Sequence, residues 1–247
     1  MTKKAILFDS GKVLNYPTTG HWFIIPSFFE YVDRAKWNTL SATELQVAFS
    51  EAYAYLNAQT TIMNREEEYG CFLEYYKILF KHLKALEVSE EQIERLTYDY
   101  VYTANKYTFF EDAKTVIPKL HEHYQLAIVS DAWPSLEQVY IEVDLRKYFA
   151  VCIISSQLGV VKPHPSMYET ALEALGIKPE EALFIDDSIG NCEGAIQLGI
   201  DAVLLCRDSN AYLTYKKLNT LNVIAGLDEL EEILIRDFAQ SPSKEIR

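Results

Sequence analysis

The stretch Ala5-Ile6-Leu7-Phe8-Asp9-Ser10-Gly11-Lys12 decides the fold of this 247-residue chain. Four apolar residues in a row, closed by turn-prone ones, read as a short strand buried on both faces; a strand with one wet face would alternate. The run stops on a carboxylate. Further along, Gln125–Val129 stops on Ser130-Asp131 and Ala182–Ile185 stops on Asp186-Asp187, while Val151–Ile154 and Ala202–Leu205 are two more apolar runs of strand length. Helical patterns fill the gaps, at Asp112–His121, Ser135–Val143, Ser166–Leu175 and Ile189–Leu198. Asp112 and Ser166 are read as N-caps, Gly176 and Gly199 as helix stops. This alternation predicts an α/β fold, a Rossmann-like parallel sheet covered by helices on both faces.

The interval 17–105 breaks the rhythm, because it holds no strand-like run. Ser41-Ala42-Thr43-Glu44 and Ser89-Glu90-Glu91-Gln92 have the form of capping boxes, and Asn64 precedes three acids suited to a helix N-terminus. Tyr69, Phe72, Leu73, Tyr76, Phe80 and Leu83 recur at three- and four-residue spacing and give one apolar face. The expected organisation is an α/β core of residues 1–16 and 106–247, interrupted by an all-helical domain of residues 17–105. Trp22, Phe23, Phe28, Phe29 and Trp37 are assigned to packing within that domain, with a dimer face as the alternative, and Leu227–Phe238 reads as an acidic amphipathic helix.

Hydrophobic residues make up 49% of the chain, enough to fill a sizeable core. A net charge of −13 argues against nucleic acid or an anionic membrane as partner. It leaves room for an anionic small molecule where local cations or a bound metal reverse the sign. Cys71, Cys152, Cys192 and Cys206 show no C-x-x-C spacing and read as free thiols of a reducing compartment. The first apolar run stops at Asp9, too soon for a signal peptide, and no run has the length of a membrane span, so the chain is expected to be cytoplasmic.

Chemistry is expected at the strand ends, since ligands of open parallel sheets bind beyond the carboxyl ends of the strands. An aspartate placed there, Asp9, can attack an electrophile and form a covalent intermediate. The Ser130 hydroxyl suits a phosphate oxygen. Lys162, in Val161-Lys162-Pro163-His164-Pro165, is a compact cation on a loop stiffened by proline. Asp186 and Asp187 repel one another, and a hard divalent cation such as Mg²⁺ resolves that repulsion. Taken singly, these residues are a turn cap, a turn serine, a surface lysine and a helix N-cap.

Taken together and in order, Phe8-Asp9-Ser10-Gly11-Lys12, Ile128-Val129-Ser130-Asp131, Lys162-Pro163-His164-Pro165 with Tyr168, and Phe184-Ile185-Asp186-Asp187-Ser188 resemble the four motifs of the haloacid dehalogenase-like hydrolase superfamily. The resemblance covers Met1–Val13 and Phe110–Ile235, and it implies that the helical insertion is a cap. It also implies a Mg²⁺-dependent phosphatase of a small phosphorylated metabolite, working through an aspartyl-phosphate on Asp9. Lys162 would be catalytic with Asp9; Ser10, Gly11, Ser130, Asp131 and Lys162 would bind phosphate. Asp9, the Gly11 carbonyl, Asp186 and Asp187 would hold the metal.

The chain departs from the pattern at Gly11, where family phosphatases carry a second aspartate that protonates the leaving group and then activates water. A positioned acid–base group contributes about 10²–10⁴-fold, so the gap matters. Asp131, His21 and Tyr16 are candidate substitutes. The gap keeps two other readings open. One is a 2-haloacid dehalogenase, whose halide leaves without a proton and for which Arg34 is the candidate arginine near the cap entrance. The other is a weakly catalytic module that binds a phosphorylated ligand. Asn191 stands where family members often have a further acid. The resemblance supplies no substrate.

Overall fold

The computed structural model describes residues 3–103, 105–218, 221–230 and 233–234. From the start of the chain come β1 (Ala5–Phe8), β2 (Asn15–Pro17), α1 (Phe28–Tyr31), α2 (Arg34–Trp37), α3 (Ala42–Asn57), α4 (Arg65–His82) and α5 (Glu90–Tyr102). β3 (Tyr107–Phe109), α6 (Glu111–His121), β4 (Gln125–Ser130), α7 (Ser135–Glu142), β5 (Val151–Ile154), α8 (Ser155–Leu158) and α9 (Pro165–Leu175) follow. Next are β6 (Ala182–Asp186), α10 (Ile189–Gln197), β7 (Asp201–Leu205), α11 (Ser209–Leu218) and β8 (Asn222–Ile224).

Six strands form one sheet in the order β5-β4-β1-β6-β7-β8, with every pairing parallel. The fold is the expected α/β one. β1 lies inside the sheet, and its four side chains are fully buried, as a run with no polar face requires. Phe8 stands opposite Ile128 of β4 and Ile185 of β6. That register brings the residues beyond Phe8, Val129 and Ile185 out at one edge, which is how Asp9, Ser130 and Asp186 become neighbours. On one face Ala5, Leu7, Val129 and Phe184 pack with Tyr168 and Leu172 of α9 and Ala195 of α10. Burying a large apolar side chain fully contributes about 1.5–3 kcal/mol, so this layer holds the strand ends in place. Gly176 and Gly199 stop their helices with φ of +65° and +85°, a conformation that costs glycine little.

The chain divides into two compact units, one of Met1–Tyr16, Phe109–Ala132 and Val143–Arg247, the other of Pro17–Thr108 and Trp133–Glu142. The second is helical. Ser41 with Glu44 and Ser89 with Gln92 close both capping boxes, and the Asn64 side chain accepts from the Glu67 N–H. Phe72, Tyr75, Tyr76, Leu79 and Phe80 of α4 pack with Ala52 and Leu56 of α3 and Leu96 and Tyr100 of α5. Phe28 rests against Phe29 and Trp37 at 5.1 and 5.2 Å between ring centroids, so these three aromatics do serve the packing.

Several local expectations fail. α7 belongs to the helical unit, because Trp133 packs edge-on against Phe72 and Ser135 is hydrogen-bonded to Glu68. Asp112 is not an N-cap: α6 starts after Phe110, and the Asp112 carboxylate is taken by Arg207 at 2.9 and 3.0 Å. His164 rather than Ser166 caps α9, since Pro165 fits the first helical position. Three short strands, β2, β3 and β8, went unread. Of the helix expected over Leu227–Phe238, Leu227–Glu229 is a short 3₁₀ turn, and residues 231–232 and 235–238 lie outside the described residues. No helix among the described residues is long and apolar enough to cross a membrane.

Candidate active site

All the strand-end residues singled out from the sequence belong to the sheet unit. Asp9 follows β1, its N–H donating to the Ile185 carbonyl at 2.9 Å, and it is 8% exposed. Lys162 arrives from the loop between α8 and α9 and donates to Asp9 Oδ1 at 2.5 Å and to Asp186 Oδ2 at 2.7 Å. The Asp186 carboxylate, at the end of β6, is fully buried. It is held from its other side by the Ser188 N–H at 2.8 Å and by the Asn191 side-chain amide at 3.1 and 3.2 Å. The Tyr168 hydroxyl donates to the Asn191 carbonyl at 2.8 Å, so α9 and α10 brace the same carboxylate.

Asp131 accepts the Lys162 N–H at 2.9 Å. Its side chain thus ties the end of β4 to the lysine loop. Ser130 is buried beside it, and the Ala132 N–H donates to the Ser155 hydroxyl at 3.0 Å. Ser10 is buried as well, its hydroxyl accepting from the Asn15 side chain at 2.7 Å. Asp187 is more open, with a 30% exposed side chain 3.4 Å from the Lys12 ammonium. Oxygens of Asp9, Asp186 and Asp187 lie within 4.8 Å of one another.

The electrostatics follow from burial. Desolvation lifts the Asp9 carboxyl to about 7; Lys162 pulls against it, while Asp186 and Asp187 push the same way. Burial raises Asp187 and Asp131 too, opposed by Lys12 and by Lys162 respectively. Burial works against the Lys162 ammonium, but Asp9, Asp186 and Asp131 outweigh it and raise its pKa. Three carboxylates thus converge on one buried ammonium, and the excess negative charge sits on hard oxygen donors. Such a place can hold a cation, and with it an anionic group.

The other sequence candidates have partners of their own. Tyr16 packs on Phe110, 4.8 Å between centroids. His164 is used as the α9 cap. In the helical unit, His21 Nδ1 accepts the Phe23 N–H and its ring lies against Phe49, while Arg34 sits 3.8 Å over the Phe29 ring. Sequence reading missed two residues near Asp9. Lys12 looked like a turn residue, and Arg207 gave no signal at all. Arg207 donates to the Lys12 and Val13 carbonyls, 195 and 194 residues away.

Comparison with known proteins bears on the family and the fold. A glyceraldehyde 3-phosphate phosphatase of Pyrococcus furiosus is 31% identical over 144 residues, 55% of this chain and 60% of that protein, less than two thirds of its length. The protein of the same name from Methanothermobacter thermautotrophicus is 26% identical over 241 residues, 94% of this chain and 99% of that one. Among solved structures, a putative HAD-hydrolase from Bacillus subtilis bound to magnesium has a TM-score of 0.66 at 18% identity, covering 95% of this chain and 100% of that one. A 2-haloacid dehalogenase from Pseudomonas syringae pv. Tomato DC3000 has a TM-score of 0.65 at 16% identity, covering 95% and 99%. At those identities the likeness concerns the fold. Residues 3–199, which include every strand-end residue described above, match the haloacid dehalogenase-like hydrolase family, and the chain belongs to it.

Proposed function

We propose that the chain is a phosphatase of a small phosphorylated metabolite, with Asp9 as its nucleophile. The observation that carries this reading is the pairing of Asp9 and Asp186 with Lys162, with oxygens of Asp9, Asp186 and Asp187 within 4.8 Å of one another, at the carboxyl ends of β1 and β6. In it, an Asp9 carboxylate oxygen attacks phosphorus in line and the Lys162 ammonium, held against Asp9, offsets the charge of the transferring group. Ser10, Ser130 and backbone N–H groups of Gly11 and Asp131 hold the phosphoryl oxygens; the Asp131 carboxylate holds the Lys162 loop. Water then cleaves the aspartyl-phosphate.

Three carboxylates with one buried ammonium fit a hard divalent cation, and Asp9, Asp187, the Gly11 carbonyl and Asp186 would hold Mg²⁺, which supplies further positive charge to the phosphoryl oxygens. Cys71, Cys192 and Cys206 are free thiols, which suits a reducing compartment such as the cytoplasm. The relatives named as glyceraldehyde 3-phosphate phosphatases put that triose phosphate first among substrates to try. Sugar 1-phosphates and acyl phosphates come next, because Gly11 cannot protonate a leaving group.

The experiment is hydrolysis of these phosphates and of para-nitrophenyl phosphate with Mg²⁺ and with EDTA, beside Asp9→Asn. Metal-dependent turnover lost in that variant is the expected result. Turnover that survives the substitution sinks the mechanism. Release of chloride from 2-haloacids in EDTA would instead support dehalogenase chemistry.

A further inference from the structure

The turn after Asp9 carries a lysine where glycine would cost less. Lys12 has a φ of +60°, in the left-handed region that a Cβ disfavours. The turn is tightly held from within, by Lys12 N–H to the Asn15 carbonyl at 2.6 Å and by Leu14 N–H to the Ser10 carbonyl at 2.8 Å. It is held from outside by Arg207, which donates to the Lys12 carbonyl at 3.3 Å and to the Val13 carbonyl at 2.8 Å. Arg207 is itself fixed by both oxygens of Asp112 and by the Phe110 ring, whose centroid lies 3.6 Å away. The backbone of Lys12 is therefore pre-set, and its ammonium ends beside Asp187 at the rim of the carboxylate cluster. The side chain is 67% exposed and its contact with Asp187 is long, so this pair is weak and the flexible stem is free to serve another anion.

We propose that Lys12 is a catalytic residue whose ammonium hydrogen-bonds the leaving oxygen, supplying by charge what Gly11 cannot supply by proton transfer. The proposal rests on the phosphatase reading. As an Asp9 oxygen bonds to phosphorus, the bond from phosphorus to the leaving oxygen breaks and its electron pair stays on that oxygen. The ammonium keeps its protons and stabilises the anion. The leaving oxygen takes a proton from solvent water, and the hydroxide equivalent so formed is consumed when the aspartyl-phosphate is hydrolysed to phosphate and free Asp9. A counter-ion for Asp187 would have no such preference among leaving groups.

The test compares the full chain with Lys12→Met and Lys12→Arg on para-nitrophenyl phosphate, whose leaving group departs without help, and on an alkyl phosphate, glyceraldehyde 3-phosphate. Lys12→Met is expected to lose about 10- to 100-fold more kcat/KM on the alkyl phosphate than on the aryl one, with Lys12→Arg restoring most of the difference. Equal losses on the two substrates, a larger loss on the aryl one, or no loss on either overturns the role. A wild-type chain that hydrolyses neither of these phosphates, nor a sugar 1-phosphate or an acyl phosphate, overturns the phosphatase reading and this role with it; an active wild type with a flat variant overturns Lys12 alone.

Discussion

Each of the two units buries a lysine among polar groups, and the two lysines are used in opposite ways. Lys162 in the sheet unit touches two carboxylates directly, with a third acid nearby and partly open to water. Lys106 in the helical unit touches none. It donates to the Tyr100 carbonyl at 2.9 Å and to the Ser135 hydroxyl at 2.6 Å, and its ammonium lies 4.5 and 5.5 Å from the Tyr100 and Tyr107 ring centroids. The Ser135 hydroxyl passes the connection on to Glu68, which also accepts the Ser135 N–H at 2.7 Å. One cation meets one carboxylate through one hydroxyl, all of them buried. That set is balanced and closed, and it staples the start of α7 to α4. The cluster at Lys162 is unbalanced and has an open edge. An excess of like charge held at a water-accessible edge marks the place where something from outside is meant to bind; a sealed, neutral set marks a joint.

The comparison can be broken by exchanging the expected symptoms. Asp9→Asn is expected to lower kcat by about 10⁴-fold or more while the chain melts near the wild-type temperature. A large stability loss with residual turnover would make Asp9 a joint as well. Lys106→Met leaves the Glu68 carboxylate buried without its cation. It should cost roughly 3 kcal/mol in urea unfolding, with kcat per folded molecule changed only a few-fold. Gly194→Ala lies between the two cases. Its Cβ would stand 2.5 Å from Pro163 Cβ and 3.3 Å from the Pro163 carbonyl oxygen, so the Lys162 loop must move. About 1–2 kcal/mol of stability and about tenfold in kcat should go together, read by melts and kinetics on one preparation.

The smallest effect concerns pH. Burial pulls the Lys106 ammonium down to about 8, below its ordinary 10.5. Between those values the unfolded chain binds more protons at this position than the folded one, so this group's contribution to stability rises with pH. It is lost again as the pH falls through about 8. The stability gap between wild type and Lys106→Met should therefore widen by about 1 kcal/mol from pH 8 to 9. A gap that narrows over that range contradicts the assignment.

What the sequence made legible was whatever is written locally. β1, β4, β5, β6 and β7 are runs of four to six residues with few polar interruptions, and the caps at Ser41, Asn64 and Ser89 lie within three residues of the groups they serve. β8 is three residues long with a single buried side chain, too little for any periodicity to show. α7 has an amphipathic pattern that suits either unit; only Glu68, 67 residues earlier, decides which. Asp112 failed as a cap for the same reason, since its partner Arg207 is 95 residues away. The four motifs could be listed in advance, but not the hydrogen bonds from the Asn191 amide to Asp186 and from the Tyr168 hydroxyl to Asn191, nor the pinning of the Lys12 turn. Ion pairs and hydrogen bonds made across the fold leave no spacing to read.

β1 sits between two strands that come much later in the chain, and this sets a timetable for synthesis. Asp9 emerges 153 residues before the lysine that neutralises it, and Lys12 emerges 195 residues before the arginine that fixes its turn. At about 5–20 residues per second, Asp9 waits roughly 8 to 30 s for its cation. Through that interval an apolar strand made to be covered on both faces has no sheet to enter, while most of the helical unit can already close on itself. A nascent chain stalled before Lys162 would therefore display a folded helical unit with β1 still exposed beside it, the form most in need of a chaperone.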